Sequence, residues 1–378
     1  MPKLENGLKA LVSSLADSPL EGIEQSVSIE VQTAPNPADL TPGEALIAIR
    51  SAGLSWVDLL MTSGQYQHMP TLPYTPGMEF AGDVIAVGAD SDAIWLNQPV
   101  FVDCFSVGPR SSGAYQHAGG FASYAVVPVS VIRKIPTDWT YDQACNFAGN
   151  YETAYHCLVT RGQLKADESL LILGASGATG VAAIQVAKSL GARVLATTRT
   201  AHKVEQLKQL GADHVICTQG ESDGDVRRFR DDVKLLTDNR GVDCVYDGVG
   251  GPTSLEAIRC TRFGARFLIV GWASTPDVAR GRGRRGAPNA NRIPTNLILM
   301  KSLDVLGCPA VISTKHDPSL RATRQDDLLL WAEQGRIKPY ISHRFQLQNL
   351  KEALLAKWTG DIIGGCAILA PDLPLRQT

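Results

Sequence analysis

One short apolar run that breaks into three glycines constrains this chain more than any other feature: Leu170-Leu171-Ile172-Leu173-Gly174-Ala175-Ser176-Gly177-Ala178-Thr179-Gly180. The run reads as a strand. Val181, Ile184, Ala187 and Leu190 then fall on one face of a helix. Glycines let the backbone turn tightly and approach a pyrophosphate, whose charge meets the free N–H groups and positive dipole end of the new helix. The spacing is G-x-x-G-x-x-G rather than G-x-G-x-x-G, and a glycine motif alone is weak. Here a second strand, Ala192 to Thr197, follows at βαβ distance. The expectation is a bound dinucleotide, with Ser176, Gly177, Ala178, Thr179 and Gly180 around its phosphates.

The end of that second strand selects among dinucleotides. A site for NAD carries Asp or Glu about 20 residues past the glycines, on the ribose 2′-hydroxyl. This chain reads Thr197-Thr198-Arg199-Thr200, with Lys203 just beyond, and no acid. Hydroxyls and cations suit a 2′-phosphate, since a guanidinium grips its oxygens in a fork. The plainer reading makes Arg199 and Lys203 solvated charges opening a helix. A cation there is mildly unfavourable against the helix dipole, so the expectation is NADP(H), held through Thr198, Arg199 and Lys203.

At 378 residues the chain is long enough for two domains. A net charge of -2 gives no general attraction to nucleic acid or to an anionic membrane. No apolar run reaches spanning length. Lys3, Glu5, Lys9 and Asp17 interrupt the N-terminal stretch, so no secretory leader is read and a cytoplasmic location is expected. The eight cysteines form no C-x-x-C pair and sit in apolar segments, as in Asp243-Cys244-Val245. They read as buried reduced thiols, and no metal cluster is expected.

Residues from about 7 to 145 read as β-rich, with strands at Ala45–Ser51, Phe80–Val87, Pro99–Val102 and Ser123–Val127. From Glu152 helices alternate with strands at Leu170–Leu173, Arg193–Thr197, His214–Cys217, Cys244–Tyr246 and Arg266–Val270. That alternation specifies a doubly wound parallel sheet. The arginine- and glycine-rich run at 279–286 reads as a loop. A strand Ser302–Gly307, a helix Arg324–Gln334 and a strand Ile362–Leu369 follow.

Gly53-Leu54-Ser55-Trp56-Val57-Asp58, Gly64-Gln65-Tyr66, Leu72 to Gly82, Gly120 to Tyr124, Thr153-Ala154-Tyr155, Leu210 to Asp213 and Asp247 to Gly251 complete a pattern with the glycine motif. In order and spacing the chain resembles the zinc-free branch of the medium-chain dehydrogenase/reductase superfamily, the NADPH:quinone oxidoreductase-like or zeta-crystallin-like family. The resemblance implies a GroES-like β-rich catalytic domain at residues 1–148 and 313–378, with a Rossmann NADP-binding domain at 149–312. It implies a cleft between them. It also implies that the backbone at Val249 and Gly250, and at Gly271, Trp272 and Ala273, faces the nicotinamide.

Several departures from the wider superfamily matter. Ser55, Trp56, Met78 and Gly149 stand where the zinc alcohol dehydrogenases carry Cys, His, His and Cys. Zinc-free relatives often carry Asn where this chain has the shorter Ser55, and Tyr near Cys217-Thr218. Without a metal a simple alcohol has nothing to acidify its hydroxyl. A quinone or a C=C conjugated to a carbonyl accepts hydride without one, so the expected reaction is NADPH-dependent reduction of such an acceptor. Enoyl-thioester or alkenal double-bond reduction is the alternative.

Tyr66 matches the G-x-Y proton donor of related enoyl-thioester reductases, and equally reads as a loop aromatic packing over the cleft. Ser55 is the other catalytic candidate. Asp58 contacts ribose or caps the following helix, the cap being preferred. Trp56, Phe147 and Asn150 are candidate substrate contacts, the two aromatics reading as core otherwise. The 279–286 run reads as a solvated insertion, or as a dock for an anionic carrier such as coenzyme A. RNA binding is a lower alternative from another class, supported only by this one basic patch without interleaved aromatics, so no nucleic-acid partner is expected. A structural, crystallin-like role is a further non-enzyme alternative. The 302–307 strand is expected at a sheet edge, where it pairs with a second copy in a homodimer.

Overall fold

The computed structural model describes residues 4–66, 68–89, 93–111, 113–222, 225–274 and 291–372. The arginine-rich run at 279–286, with the expectations placed on it, lies outside these residues. One compact unit runs to Gly149 and resumes at Pro339; the other takes the described residues from Asn150 to Lys338.

The first unit holds β1 (Gly7–Val12), β2 (Val27–Gln32), β3 (Glu44–Gly53), β4 (Glu79–Val87), β5 (Pro99–Val102), β6 (Tyr124–Pro128) and β7 (Ile132–Lys134). The second holds β8 (Ser169–Leu173), β9 (Arg193–Thr198), β10 (His214–Cys217), β11 (Val242–Asp247), β12 (Thr261–Ile269) and β13 (Asp304–Gly307). Finally β14 (Ile341–Gln346) and β15 (Gly365–Leu369) belong to the first.

In the first unit seven strands form one sheet in the order β14-β15-β3-β4-β5-β7, with β6 on β3, and β1 and β2 form a separate antiparallel ribbon. Its core gathers Ile47, Ile49, Leu59, Phe80, Val84, Val100 and Phe121, with Leu350 and Leu354 from the C-terminal helix Leu350–Thr359. This is the GroES-like β-rich domain.

The second unit is a six-stranded sheet in the order β10-β9-β8-β11-β12-β13, every pair parallel. Every residue of β8 is buried, as expected for a parallel strand covered on both faces. The order reverses at β8, whose neighbours are β9 and β11, and ligands of open α/β sheets gather outside such a reversal. This is the Rossmann fold that the alternation of helices and strands specified.

Several boundaries differ from the sequence expectation, and the helix read at Arg324–Gln334 runs instead over Ser319–Glu333. The chain returns to the first unit at Pro339 rather than 313, because helix Ser319–Glu333 is tied into the second. Arg321 and Arg324 approach Glu152 at 2.9 and 3.6 Å, and the Tyr155 hydroxyl donates to Asp327. The last sheet strand starts at Asp304, not Ser302, because Ser302 takes a left-handed conformation (φ +50°) that ends helix Thr295–Lys301. It occupies the sheet edge beside β12. Strand β15 begins at Gly365, three residues later than Ile362.

Candidate active site

The glycine turn after β8 is held from the side by β9. The Thr197 hydroxyl donates to the Ile172 carbonyl (3.2 Å) and accepts from the Gly174 amide (3.3 Å); the Ala175 amide reaches the Thr197 carbonyl (3.0 Å). Thr197 was not singled out in the sequence, and only its pairing across to β8 shows this role. Gly174 has φ +66°, and a Cβ there would come 2.7 Å from Val249 Cγ2. A Cβ on Gly180 would strike the Ala175 backbone at 2.7 Å, so this glycine lets the helix start against the turn.

Helix Ala178–Ser189 begins with Gly177 as N-cap, and no side chain caps it. Its first internal bond is Val181 N–H to Gly177 O, at 2.9 Å. The amides of Ala178, Thr179 and Gly180 precede that bond, which leaves donors for an external acceptor. Ser176 to Thr179 are half-buried. Phosphate oxygens fit this cradle.

At the end of β9, Thr198 is buried and Arg199 exposed. Lys203 is only 3% exposed, on the 3-10 turn Ala201–Lys203, which removes it from the reading as a solvated charge. Among the described residues no carboxylate pairs with the Arg199 guanidinium, and the Arg199 carbonyl accepts from the Cys217 thiol at 3.6 Å.

Beyond β11 a buried carboxylate organises the other rim. Asp247 accepts the Val249 and Gly250 amides at 3.0 and 2.9 Å, and the Ser254 hydroxyl donates to its second oxygen. Burial pushes the Asp247 pKa up, against the pull of Ser254 and these amides. The amides of Ala273 and Ser274 bond to the carbonyls of Gly248 and Val249 at 3.2 and 2.9 Å, and Gly271 N–H reaches Asp247 O at 3.1 Å. Thus Val249, Gly250, Gly271, Trp272 and Ala273 lie together at the carboxyl ends of β11 and β12, and Gly174 abuts Val249. Trp272 is 41% exposed.

In the first unit, Ser55 caps helix Trp56–Thr62 in a reciprocal box with Asp58: Asp58 N–H to Ser55 Oγ is 3.3 Å, and Ser55 N–H to Asp58 Oδ2 is 2.8 Å. The Ser55 hydroxyl also donates to Asp58 Oδ2 at 2.8 Å, while Oδ1 takes the Gly77 amide at 3.1 Å. Asp58 therefore serves the capping of this helix, as the reciprocal partner of the Ser55 cap, and is tied to the chain at Gly77. Trp56 stacks on Trp358 with centroids 5.8 Å apart and planes 4° apart. Phe147 is core, packed edge-on against Phe101 and Trp139 at 6.0 and 5.0 Å. Asn150 is half-exposed on helix Ala148–Tyr155. Tyr66 is half-buried, its ring 6.0 Å from that of His68 at 73°.

With this geometry in hand, the comparisons agree. The family described as alcohol dehydrogenase GroES-like domain matches residues 41–137, and that described as zinc-binding dehydrogenase matches 178–317. A quinone oxidoreductase-like protein 2 homolog of Nematostella vectensis is 30% identical over 331 residues, 86% of this chain and 82% of that protein. The chain belongs to the quinone oxidoreductase-like family of medium-chain dehydrogenases/reductases. Human quinone oxidoreductase is 28% identical over 310 residues, 82% of this chain and 84% of its own. Among solved structures, a probable oxidoreductase from Mycobacterium abscessus has TM-score 0.76 at 25% identity, covering 97% of this chain and all 100% of that one. A mycobacterial protein complexed with NADPH has TM-score 0.74 at 23% identity, covering 96% and 99%, and shares the fold.

This quinone oxidoreductase-like chain does not fit a zinc ion at the positions where zinc-dependent members of the superfamily hold one. Ser55 is committed to Asp58, Trp56 to Trp358, and Met78 is a buried thioether. Glu79 accepts the Gly149 amide at 3.0 Å, and a Cβ on Gly149 would sit 2.1 Å from Glu79 Oε1. The room for a ligating side chain at 149 is filled by that carboxylate. Among the described residues no group of three or more His, Cys, Asp and Glu is placed to hold a metal. The eight cysteines are free, and all but Cys217 are buried. No described helix is long and apolar enough to cross a membrane.

Proposed function

We propose that this chain catalyses metal-free, NADPH-dependent transfer of hydride to a quinone or another conjugated carbonyl acceptor. The observation that carries the reading is the uncapped helix start at Gly177 to Gly180, set beside a β9 end that offers Thr198, Arg199 and Lys203 and no acid. NADPH, when bound, supplies the hydride from its nicotinamide. The residues present fit it: amides 178–180 receive phosphate, Arg199 and Lys203 receive the 2′-phosphate, and Val249 to Gly250 with Gly271 to Ala273 border the nicotinamide. The NADPH complex of a mycobacterial protein of the same fold supports this choice of cofactor.

The donor set at Ser55, Trp56, Met78 and Gly149 supports a reaction with no Lewis acid, which favours an electron-poor acceptor over an alcohol. Tyr66 favours a second reading, reduction of an enone or enoyl thioester, because its hydroxyl can donate the proton that an enolate needs. The exposed edge of β13 supports a C2 homodimer through edge pairing.

The test is a screen of NADPH and NADH oxidation with quinones, enones and enoyl-CoA esters, run with and without chelator. Turnover with NADPH and a conjugated acceptor in chelator is expected. Oxidation of simple alcohols, with neither quinones nor enones reduced, overturns the reading.

A further inference from the structure

The second unit carries a polar cleft at the amino ends of β8, β9 and β11, the ends away from the glycine turn. Ser169 opens β8, and Arg193 opens β9 opposite it in register. Asp243 lies beside Ser169 near the start of β11, accepting the Ser169 hydroxyl at 2.7 Å and its amide at 2.8 Å. The cleft has a volume of about 280 Å³, and Asp167, Thr237 and Arg240 also line it.

The loop that presents Arg240 is tightly bonded. The buried Thr237 hydroxyl donates to Val233 O (2.8 Å) and accepts the Gly241 amide (3.0 Å). The Arg240 amide reaches Thr237 O (2.9 Å), and Lys234 Nζ donates to Asn239 O (3.2 Å). Asp238 and Asn239 take left-handed φ values of +50° and +61°, which turn the chain so that Arg240 follows at the rim. Across the cleft the Asp167 amide is fixed on Gly191 O at 3.0 Å.

The charges lining this cleft are unevenly matched. Glu168 and Asp243 are neutralised by β12, through Arg266 at 2.5 Å and through Arg262. The two arginines have no such partner. A guanidinium carries five N–H donors, and Arg193 spends one on His214 Nε2 at 3.0 Å. Among the described residues no carboxylate pairs with Arg193 or Arg240, and both are exposed. Two cations therefore share the cleft with one uncompensated carboxylate, Asp167. β9 and β11 flank β8 on either side, so the segments bearing the two arginines stand about 10 Å apart, two strand spacings. Two separated planar forks match two carboxylates on one short ligand better than they match one compact anion.

We propose that this cleft binds a short-chain dicarboxylate, one carboxylate on Arg193 and the other on Arg240. Asp167 disfavours a third negative group. The site lies at the end of the sheet opposite the glycine turn, so its ligand and a nucleotide do not compete. A ligand that bridges the starts of β9 and β11 also holds the sheet together, so the bound protein resists unfolding.

The experiment titrates succinate, propionate and inorganic phosphate into wild type by calorimetry, at constant ionic strength, with and without NADP⁺. Saturable succinate binding is expected, with Kd on the order of 1 mM or below and at least about tenfold tighter than propionate or phosphate. Arg193→Gln and Arg240→Gln, both at exposed positions, should each weaken it about five- to tenfold, and the double variant should lose the rise in Tm that succinate gives wild type. Propionate binding as tightly as succinate overturns the proposal without any variant. Phosphate binding as tightly overturns the assignment to a dicarboxylate. Displacement of succinate by NADP⁺ places it in the nucleotide cradle and overturns the site, as does unchanged affinity in the double variant.

Discussion

The two cations after β9 should contribute unequally to NADPH binding, and their burial sets the ratio. Lys203 is 3% exposed, so a bond from its ammonium to a 2′-phosphate is little screened by solvent. Hydrogen bonds to charged groups are worth about 1.5–3 kcal/mol. At about 1.4 kcal/mol per decade, Lys203→Met should weaken NADPH binding by about 10- to 150-fold. Arg199 is exposed, and ion pairs in water are worth about 0.2–1 kcal/mol, so Arg199→Ala should cost about fivefold at most. If the two act independently, the double variant loses on the order of 10²-fold. NADH, lacking the 2′-phosphate, should bind wild type and variants alike. Fluorescence titration of both nucleotides at low and high ionic strength separates the contributions. The Arg199 effect should fade with salt over a Debye length of about 8–10 Å, and the Lys203 effect should persist. Equal affinity of wild type for NADPH and NADH, or a Lys203→Met variant that loses both equally, would refute the reasoning.

Four further outcomes are expected. Tyr66→Phe should slow enone reduction by about 10²–10⁴-fold, the scale of a lost general acid, while quinone reduction changes little; steady-state rates with the two acceptor classes check this. Gly149→Cys forces Glu79 from its amide partner and should destabilise the fold by about 1–3 kcal/mol without creating a zinc site, checked by urea unfolding and elemental analysis. Burial, with Arg324 and Arg161, pushes the His156 pKa down to about 4 from 6.5, so the folded state favours the neutral ring. Its contribution is present above about pH 6.5 and lost as pH falls towards 4, about 2 kcal/mol by pH 5; His156→Phe should flatten that part of the stability–pH curve, and parallel curves would contradict it. Light scattering at micromolar concentration should give a dimer mass, with a charge at Val305 on the β13 edge shifting it towards monomer.

The sequence by itself determined the Rossmann unit, because its signals are local. The continuous apolar β8, the three glycines and the helical face after them are neighbours along the chain, and parallel strands buried on both faces leave an unmistakable apolar run. The β-rich unit was less legible. Strand β14, Ile341–Gln346, carries Ser342, His343 and Arg344 and none of the alternation of a half-buried strand; pairing with β15 defines it. Asp58 allowed a ribose contact or a helix cap from sequence, and its reciprocal bonds with Ser55 place it in the capping box, with the Gly77 amide, 19 residues on, taking its other oxygen. Phe147 could have been a wall or core until Phe101 and Trp139 enclosed it. Arg110, which the fold buries, left no signal at all, one arginine in a run of Gly, Pro and Ser. What the tertiary structure alone decided is which polar groups lost their water. Burial depends on partners brought from far along the chain, so neither the desolvation of Arg110 nor the engagement of Glu79 by Gly149, 70 residues away, is written in the residues beside them.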